Sequence, residues 1–254
     1  METVVKERAD APPGFYEAEA AGIGWLAEAG GAAVARVVAV SPCRIEIERV
    51  AQGRATTDAA HDFGRDLART HAAGAATFGA SPEGWHGPLF IGRREMPRNE
   101  STAWGEFYVT GRVLPFAESA VSAGNLTRAE LAVVREACDT VASGRFDDDA
   151  PPSRIHGDLW GGNILFGPRG VVMIDPAAHG GHAETDLAML SLFGAQHLTH
   201  IIDGYQSVAP LRTGWMDRVP VHQLHPLAVH AAGHGRSYGV ALVRAARATL
   251  SLAS

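Results

Sequence analysis

Residues 154 to 175 leave the chain little conformational choice. Arg154-Ile155, Ile164-Leu165-Phe166 and Val171-Val172-Met173-Ile174 are short apolar runs of strand type, and Gly167-Pro168-Arg169-Gly170 between the last two has hairpin-turn composition. The intervening segment His156-Gly157-Asp158-Leu159-Trp160-Gly161-Gly162-Asn163 must therefore be a loop between strands. Asp175 leaves the last strand directly before Pro176, which cannot donate to a ladder, so its side chain is free to face a ligand.

Four residues separate Asp158 from Asn163, and Asp175 follows twelve residues after Asn163. That is phosphotransferase spacing, in which one Asp accepts the proton of the acceptor hydroxyl while an Asn and a second Asp hold magnesium. Transfer of a γ-phosphoryl group needs little covalent help from protein and much charge neutralisation around an in-line geometry. Hard oxygen donors suit that task, and one carboxylate with one amide oxygen is enough when phosphate and water complete the shell. The spacing points to Asp158 as catalytic base and to Asn163 and Asp175 as metal ligands.

The run from His156 to Phe166, followed by Ile174-Asp175-Pro176-Ala177 and by Gly181-His182-Ala183-Glu184-Thr185-Asp186-Leu187-Ala188-Met189, resembles the fructosamine kinase family. A bare H-G-D-x-x-x-x-N would indicate only the broad small-molecule kinase superfamily; the Leu159-Trp160-Gly161-Gly162 filling and the downstream run narrow it. The resemblance extends from Val4 over nearly the whole chain. It implies an α+β, two-lobed protein-kinase-like fold, with a small, N-terminally shortened β-rich lobe at 1–52 and a larger, mainly helical lobe at 53–254. It implies ATP and Mg2+ as cofactors. The expected acceptor is a ketosamine, free or protein-linked, phosphorylated on the third sugar hydroxyl in protein deglycation or sugar-amine metabolism. An aminoglycoside or other amino sugar is the second acceptor class. Only five residues precede Lys6, too few for the glycine-rich hairpin that covers the ATP phosphates in kinase-like lobes, so a catalytically silent binding protein is the competing class.

Thr3-Val4-Val5-Lys6 reads as a strand, and Pro12-Pro13-Gly14 precedes a helix from about Phe15 to Ala29. At roughly 100° per residue, Phe15, Glu19, Ile23 and Leu26 share one stripe, so Glu19 is a carboxylate on an apolar face that needs a partner. By the resemblance that partner is Lys6, the lysine that touches the ATP phosphates. Val34 to Val40 and Arg44 to Val50 read as two further strands, and the resemblance places backbone groups around Glu48, Arg49 and Val50 against adenine. Asp58 to Ala73 is a helix with Ala60, Phe63 and Leu67 on one face and His71 at its edge. Gly74 to Asn99, rich in Gly and Pro, reads as a long loop whose arginines and aromatics line an entrance or face solvent. Trp104, Phe107, Tyr108 and Arg112 read mostly as packing.

Thr127 and Glu130 have the spacing of a capping box ahead of the stripe Leu131, Val134, Cys138 and Val141. Asp147-Asp148-Asp149 reads as an exposed charged turn, and the region beyond Asp186 as helical with breaks at Pro210, Pro220 and Pro226. Near the motif, His156 is expected to anchor the loop or touch substrate, Trp160 to stack on a sugar or pack, and Asp186 to hold backbone N–H groups of the loop. Twelve histidines show no metal-binding pattern, and His179, His182, His197 and His200 show no ligand spacing. Two cysteines make neither a disulfide framework nor a metal site. A net charge of −6 argues against a nucleic-acid partner. No apolar run reaches membrane-spanning length, and Glu2, Lys6, Glu7 and Arg8 replace a signal peptide's apolar stretch, so the expected location is the cytoplasm. Oligomeric state leaves no mark on the sequence.

Overall fold

The computed structural model describes residues 2–253. The N-terminal region pairs β1 (Thr3–Glu7), β4 (Arg44–Glu48) and β3 (Val37–Ser41) as an antiparallel sheet in the order β1-β4-β3. Lys6 stands opposite Ile45 in that register, and Ile45 is fully buried. Strand alternation therefore puts Lys6 on the face covered by helix α1 (Phe15–Glu28). The helix is buried on two sides rather than along the single stripe expected. Tyr16 and Ile23 pack on Ile45 and Ile47, while Trp25 and Leu26 pack on Ala178, because α1 is wedged between the sheet and a segment of the C-terminal region. Phe15 is left half-buried.

The expected single strand over Val34 to Val40 is two. β2 (Ala33–Val34) runs parallel to β9 (Gly170–Met173), the Ala35 N–H donates to Met173 O at 3.0 Å, and only then does the chain turn to form β3. The N-terminal segment thus contributes a strand to the sheet β2-β9-β8, where β8 (Ile164–Gly167) and β9 form the expected hairpin with Gly167 opposite Gly170.

Gly74 to Asn99 is not an open loop throughout. It holds a second hairpin, β5 (Leu89–Ile91) with β6 (Arg94–Met96), turning at Gly92, whose φ of 54° suits glycine. The turn pair Gly92-Arg93 between two apolar-containing triplets was the available signal. After α3 (Trp104–Phe107), a π-helical turn at Tyr108–Val113 leads into α4 (Leu114–Ser122) and α5 (Arg128–Ala142). The π-turn buries Arg112, which donates to His179 Nε2 at 3.2 Å and lies over the Phe107 ring. Thr127 and Glu130 close their capping box at the start of α5. Cys138 is buried, and burial pushes its thiol up to about 12, consistent with an inert packing sulfur. β7 (Ser153–Ile155) pairs with β10 (His179–Gly181), and α6 (Ala183–Leu192), α7 (Leu198–Gln206), α8 (Trp215–His222), α9 (Leu224–His234) and α10 (Arg236–Ala253) complete the fold. Pro220 lies inside α8, and Pro226 sits in the first turn of α9, where a missing N–H costs no helical bond.

Helix α2 (Thr57–Ala72) crosses α7 at backbone distance. A Cβ on Gly64 would lie 1.9 Å from Ile201 O, and one on Gly204 would lie 1.9 Å from His61 O. Neither obstacle is a flexible side chain, so the helices must separate to admit even a methyl group. Gly204→Ala is expected to destabilise the protein by about 1–3 kcal/mol, or more where the helices cannot part. Urea unfolding of the two proteins side by side measures this, and an unchanged midpoint would show that the crossing can relax.

Candidate active site

Short strands deliver the key side chains to one cleft. Asp158, Trp160, Asn163 and Asp175 line a cavity of about 330 Å³ together with Lys6, Glu19, Phe15, Tyr16, Leu89, Phe90 and the Pro176–Ala178 segment. Lys6 Nζ lies 2.6 Å from Glu19 Oε1 and 2.6 Å from Asp175 Oδ1, so one ammonium bridges α1 and the exit of β9. Burial pulls the Lys6 pKa down, but the charges of Glu19 and Asp175 and their hydrogen bonds outweigh it, and the net shift is upward. Glu19 shifts upward as well, because burial outweighs the Lys6 contact. The contact between Lys6 and Asp175 had no local signal, since they lie 169 positions apart in the chain.

Asp175 adopts φ 54°, a left-handed conformation uncommon outside glycine, immediately before Pro176. The backbone there is held on both sides: Ile174 N–H donates to Asn163 O at 3.0 Å, and Ala177 N–H donates to His156 O at 2.9 Å. Asn163 in turn gives Nδ2–H to Asp158 O at 2.8 Å and to Asp158 Oδ2 at 3.2 Å. With the amide nitrogen committed to Asp158, the Asn163 oxygen is the atom available to a cation.

The loop itself hangs from Asp186. Its Oδ2 accepts from His156 N–H at 2.7 Å and its Oδ1 from Gly157 N–H at 3.0 Å. The carboxylate is also bonded to His71 Nε2 at 3.2 Å, and His71 Nδ1 meets the Tyr205 hydroxyl at 3.0 Å. Burial opposes the charge on Asp186, yet its hydrogen bonds hold the pKa below the ordinary value. His71 is thus fully inside rather than at a core edge.

His156 is not among the side chains that line the cleft. It is fully buried; its Nδ1 accepts Asp158 N–H at 3.2 Å, its Nε2 donates to Ile174 O at 2.9 Å, and burial lowers its pKa. Both ring nitrogens are used within the scaffold, which fixes a neutral tautomer. Trp160 is 39% exposed and faces the cleft. Its ring lies over Gly162, where a Cβ would come within 2.2 Å of the indole, so the Gly-Gly filling allows the ring to fold back on its own loop.

Glu48 and Val50 fall outside this cleft. They line a separate depression of about 370 Å³ with Glu2, Gly167 and Pro168, and Glu48 also pairs with Arg169. Glu48 N–H donates to Arg36 O at 2.8 Å and Arg49 N–H to Glu2 O at 3.0 Å, so those two amides already have partners. Asp148 is not the exposed turn residue expected: it accepts from His182 Nε2 at 3.1 Å, and its pKa is held well below the carboxylate range. The ligand atoms of His182, Glu184 and His222 lie within 4.8 Å of one another, a cluster invisible to linear spacing. Hydrogen bonds already occupy it. His182 Nδ1 accepts Glu184 N–H, Arg218 donates to both oxygens of Glu184, and His222 Nδ1 meets Thr185 Oγ1.

Asp158 has the most telling electrostatics. Burial pushes its carboxyl up to about 7, opposed by the Asn163 hydrogen bond and reinforced by the charges of Asp175 and Asp186. A carboxyl tuned there can exchange a proton near neutrality, whereas an ordinary Asp, ionised near pH 4, is too weak a base.

The architecture is that of the protein-kinase-like fold. A choline/ethanolamine kinase family protein from Mesorhizobium loti, 16% identical, superposes with TM-score 0.61 over 98% of this chain and 82% of its own. A candidate fructosamine-3-kinase from Thermobifida fusca YX-ER1 is far more similar, with TM-score 0.91 and 43% identity over 98% of this chain and 85% of that one. The candidate ketoamine kinase YniA of Escherichia coli K12 is 38% identical over 136 residues, 52% of this chain, so the match spans less than half (44%) of that relative's length. The fructosamine kinase profile matches residues 2–251. This chain belongs to the fructosamine kinase family.

The Asp158 environment has a consequence for stability. The unfolded carboxyl ionises near pH 4, about three units below the native one. Between those values the native chain holds a proton that the unfolded chain has lost, so this group's contribution to stability falls as pH rises toward 7. Asp158→Asn removes the effect. Its Tm relative to the parent should therefore be higher at about pH 8 than at about pH 5, and an equal difference at both would show that burial does not raise this pKa.

Proposed function

We propose that the chain is an ATP- and magnesium-dependent kinase that phosphorylates the sugar of a ketosamine, at the third hydroxyl by family resemblance. The observation that carries this reading is the meeting of Lys6, Asp158, Asn163 and Asp175 in one cleft, within a chain of the fructosamine kinase family. The Asn163 amide oxygen and the Asp175 carboxylate are hard donors of the kind magnesium takes beside phosphates, and they are the residues assigned to hold it. When bound, the metal neutralises phosphate charge. Lys6, held by Glu19, reaches the phosphates, and the N-terminal segment to residue 52 forms the nucleotide side. Family resemblance alone assigns adenine to backbone groups of the 48–50 segment other than the two amides already bonded, and that segment lines the separate depression rather than the cleft.

In the transfer step, the acceptor hydroxyl oxygen bonds to the γ-phosphorus and the bond to the ADP oxygen breaks. The hydroxyl proton passes to the Asp158 carboxylate, and the presence of that side chain in the cleft lining supports this role. Asp186, His71 and His156 touch neither reactant in this scheme; they fix the loop that carries Asp158.

Incubation with ATP, magnesium and a panel of ketosamines should yield a sugar phosphate detectable by phosphorus NMR. Asp158→Asn should lower turnover by about 100-fold or more, the contribution of a positioned base, while ATP binding persists. Transfer to aminoglycosides with none to any ketosamine would overturn the acceptor assignment, and wild-type turnover in Asp158→Asn would remove that residue from the chemistry.

A further inference from the structure

Trp160 is the first member of a continuous row of rings that leaves the cleft. Its indole makes an edge contact with Phe193 at 6.1 Å, Phe193 packs on His230 at 4.7 Å, and His230 packs on Tyr238 at 5.0 Å. The row joins four separate parts of the chain: the catalytic-motif loop, the end of α6, α9 and α10. Two glycines create it. Gly194, at φ 73°, turns the chain directly after Phe193, and Gly235, at φ 113° and ψ 174°, breaks α9 from α10 so that Tyr238 folds back onto His230. Phe193, His230 and Tyr238 are each partly exposed, so the row is a wall with an open face rather than core. The β5–β6 hairpin, whose Leu89 and Phe90 line the cleft, is tied beside it by Arg94 donating to Ala232 O at 2.5 Å.

The four rings are uncharged, although His234 packs on His230 at 5.0 Å and on Tyr238 at 6.2 Å and the Arg94 guanidinium lies nearby on Ala232 O. His230 Nδ1 is bonded to Pro226 O at 2.8 Å, and burial lowers its pKa, which keeps the ring neutral. Arg236, the cation two residues before Tyr238, is engaged by Glu130 at 2.6 Å. No member of the row carries a full charge to pair with a carboxylate or an ammonium, whereas every member offers an aromatic face or edge.

We infer that the Trp160–Phe193–His230–Tyr238 wall binds the amine-side substituent of the ketosamine, and that it selects acceptors whose amine carries an aromatic or apolar group. This rests on the ketosamine kinase reading for what occupies the cleft. Asp158 and Trp160 line the same cleft, and Phe193 is the next ring beyond Trp160, so a substituent that extends from a sugar at Asp158 past the indole would meet this row.

The test uses two acceptors with the same sugar, fructosyl-phenylethylamine and fructosyl-methylamine. Their equilibrium binding is measured by calorimetry and their phosphorylation is measured separately. The phenylethyl compound should bind about threefold to tenfold more tightly, the size of one aromatic contact. Tyr238→Ala and Phe193→Ala should collapse that ratio toward one, while Tyr238→Phe, which keeps the ring, should retain it. Equal binding of the two compounds to the parent protein, or Ala variants that weaken both alike, would overturn the inference. If the selective binding is present but neither compound is phosphorylated, the wall stands and the kinase assignment fails.

Discussion

The geometry of the cleft depends on one buried carboxylate that does not line it. Asp186 accepts two consecutive backbone N–H groups, those of His156 and Gly157, and shares its charge with His71. A loop rich in glycine has many conformations available, and two charge-assisted bonds to adjacent amides remove most of them at the residues just before Asp158. The requirement is mutual. Without the two amides and the imidazole, a carboxylate at 1% exposure would be an uncompensated buried charge. Gly157 belongs to the same constraint: it sits at φ 79°, and a Cβ there would come within 2.3 Å of Ala177 O. Loop and support can only form together.

The charges on the other side are arranged differently. Three carboxylates, Glu19, Asp158 and Asp175, face a cleft with one lysine among its lining residues. Lys6 satisfies two of them directly, while burial holds the proton on Asp158 up to about pH 7. The tuned carboxyl follows first from burial, and the neighbouring charges of Asp175 and Asp186 add to it.

How far the sequence disclosed this depended on whether the information was local. The motif from His156 to Asn163, the β8–β9 hairpin and the Thr127 capping box are each specified by residues a few positions apart, and each forms where the spacing placed it. Glu19 was legible because an acid on an apolar helical stripe needs a counter-charge, and Lys6 supplies it at 2.6 Å. What could not be read was set by contacts across the chain. Val34 and Val37 look like one strand, but Met173 draws the first into another sheet. Asp148 looks like solvent-exposed charge until His182 folds over it. His71 looks like a helix edge because Tyr205 and Asp186 lie 134 and 115 residues away. The helix stripe of α1 failed for a related reason, since a helix wedged between two partners has no single apolar face.

The β8–β9 hairpin has a mechanical meaning. Asn163 and Asp175 flank its two strands, Ile164 stands opposite Met173, and the Ile174 N–H is bonded to Asn163 O. The separation of these two residues is therefore internal to one rigid ribbon. Lys6 rides on the β1-β4-β3 sheet and reaches Asp175 only through a side chain. A rotation of that sheet against the ribbon would have to work against the Ala35 to Met173 and Gly53 to Phe166 backbone bonds, and it would swing Lys6 while the ladder held Asn163 and Asp175 at constant gauge.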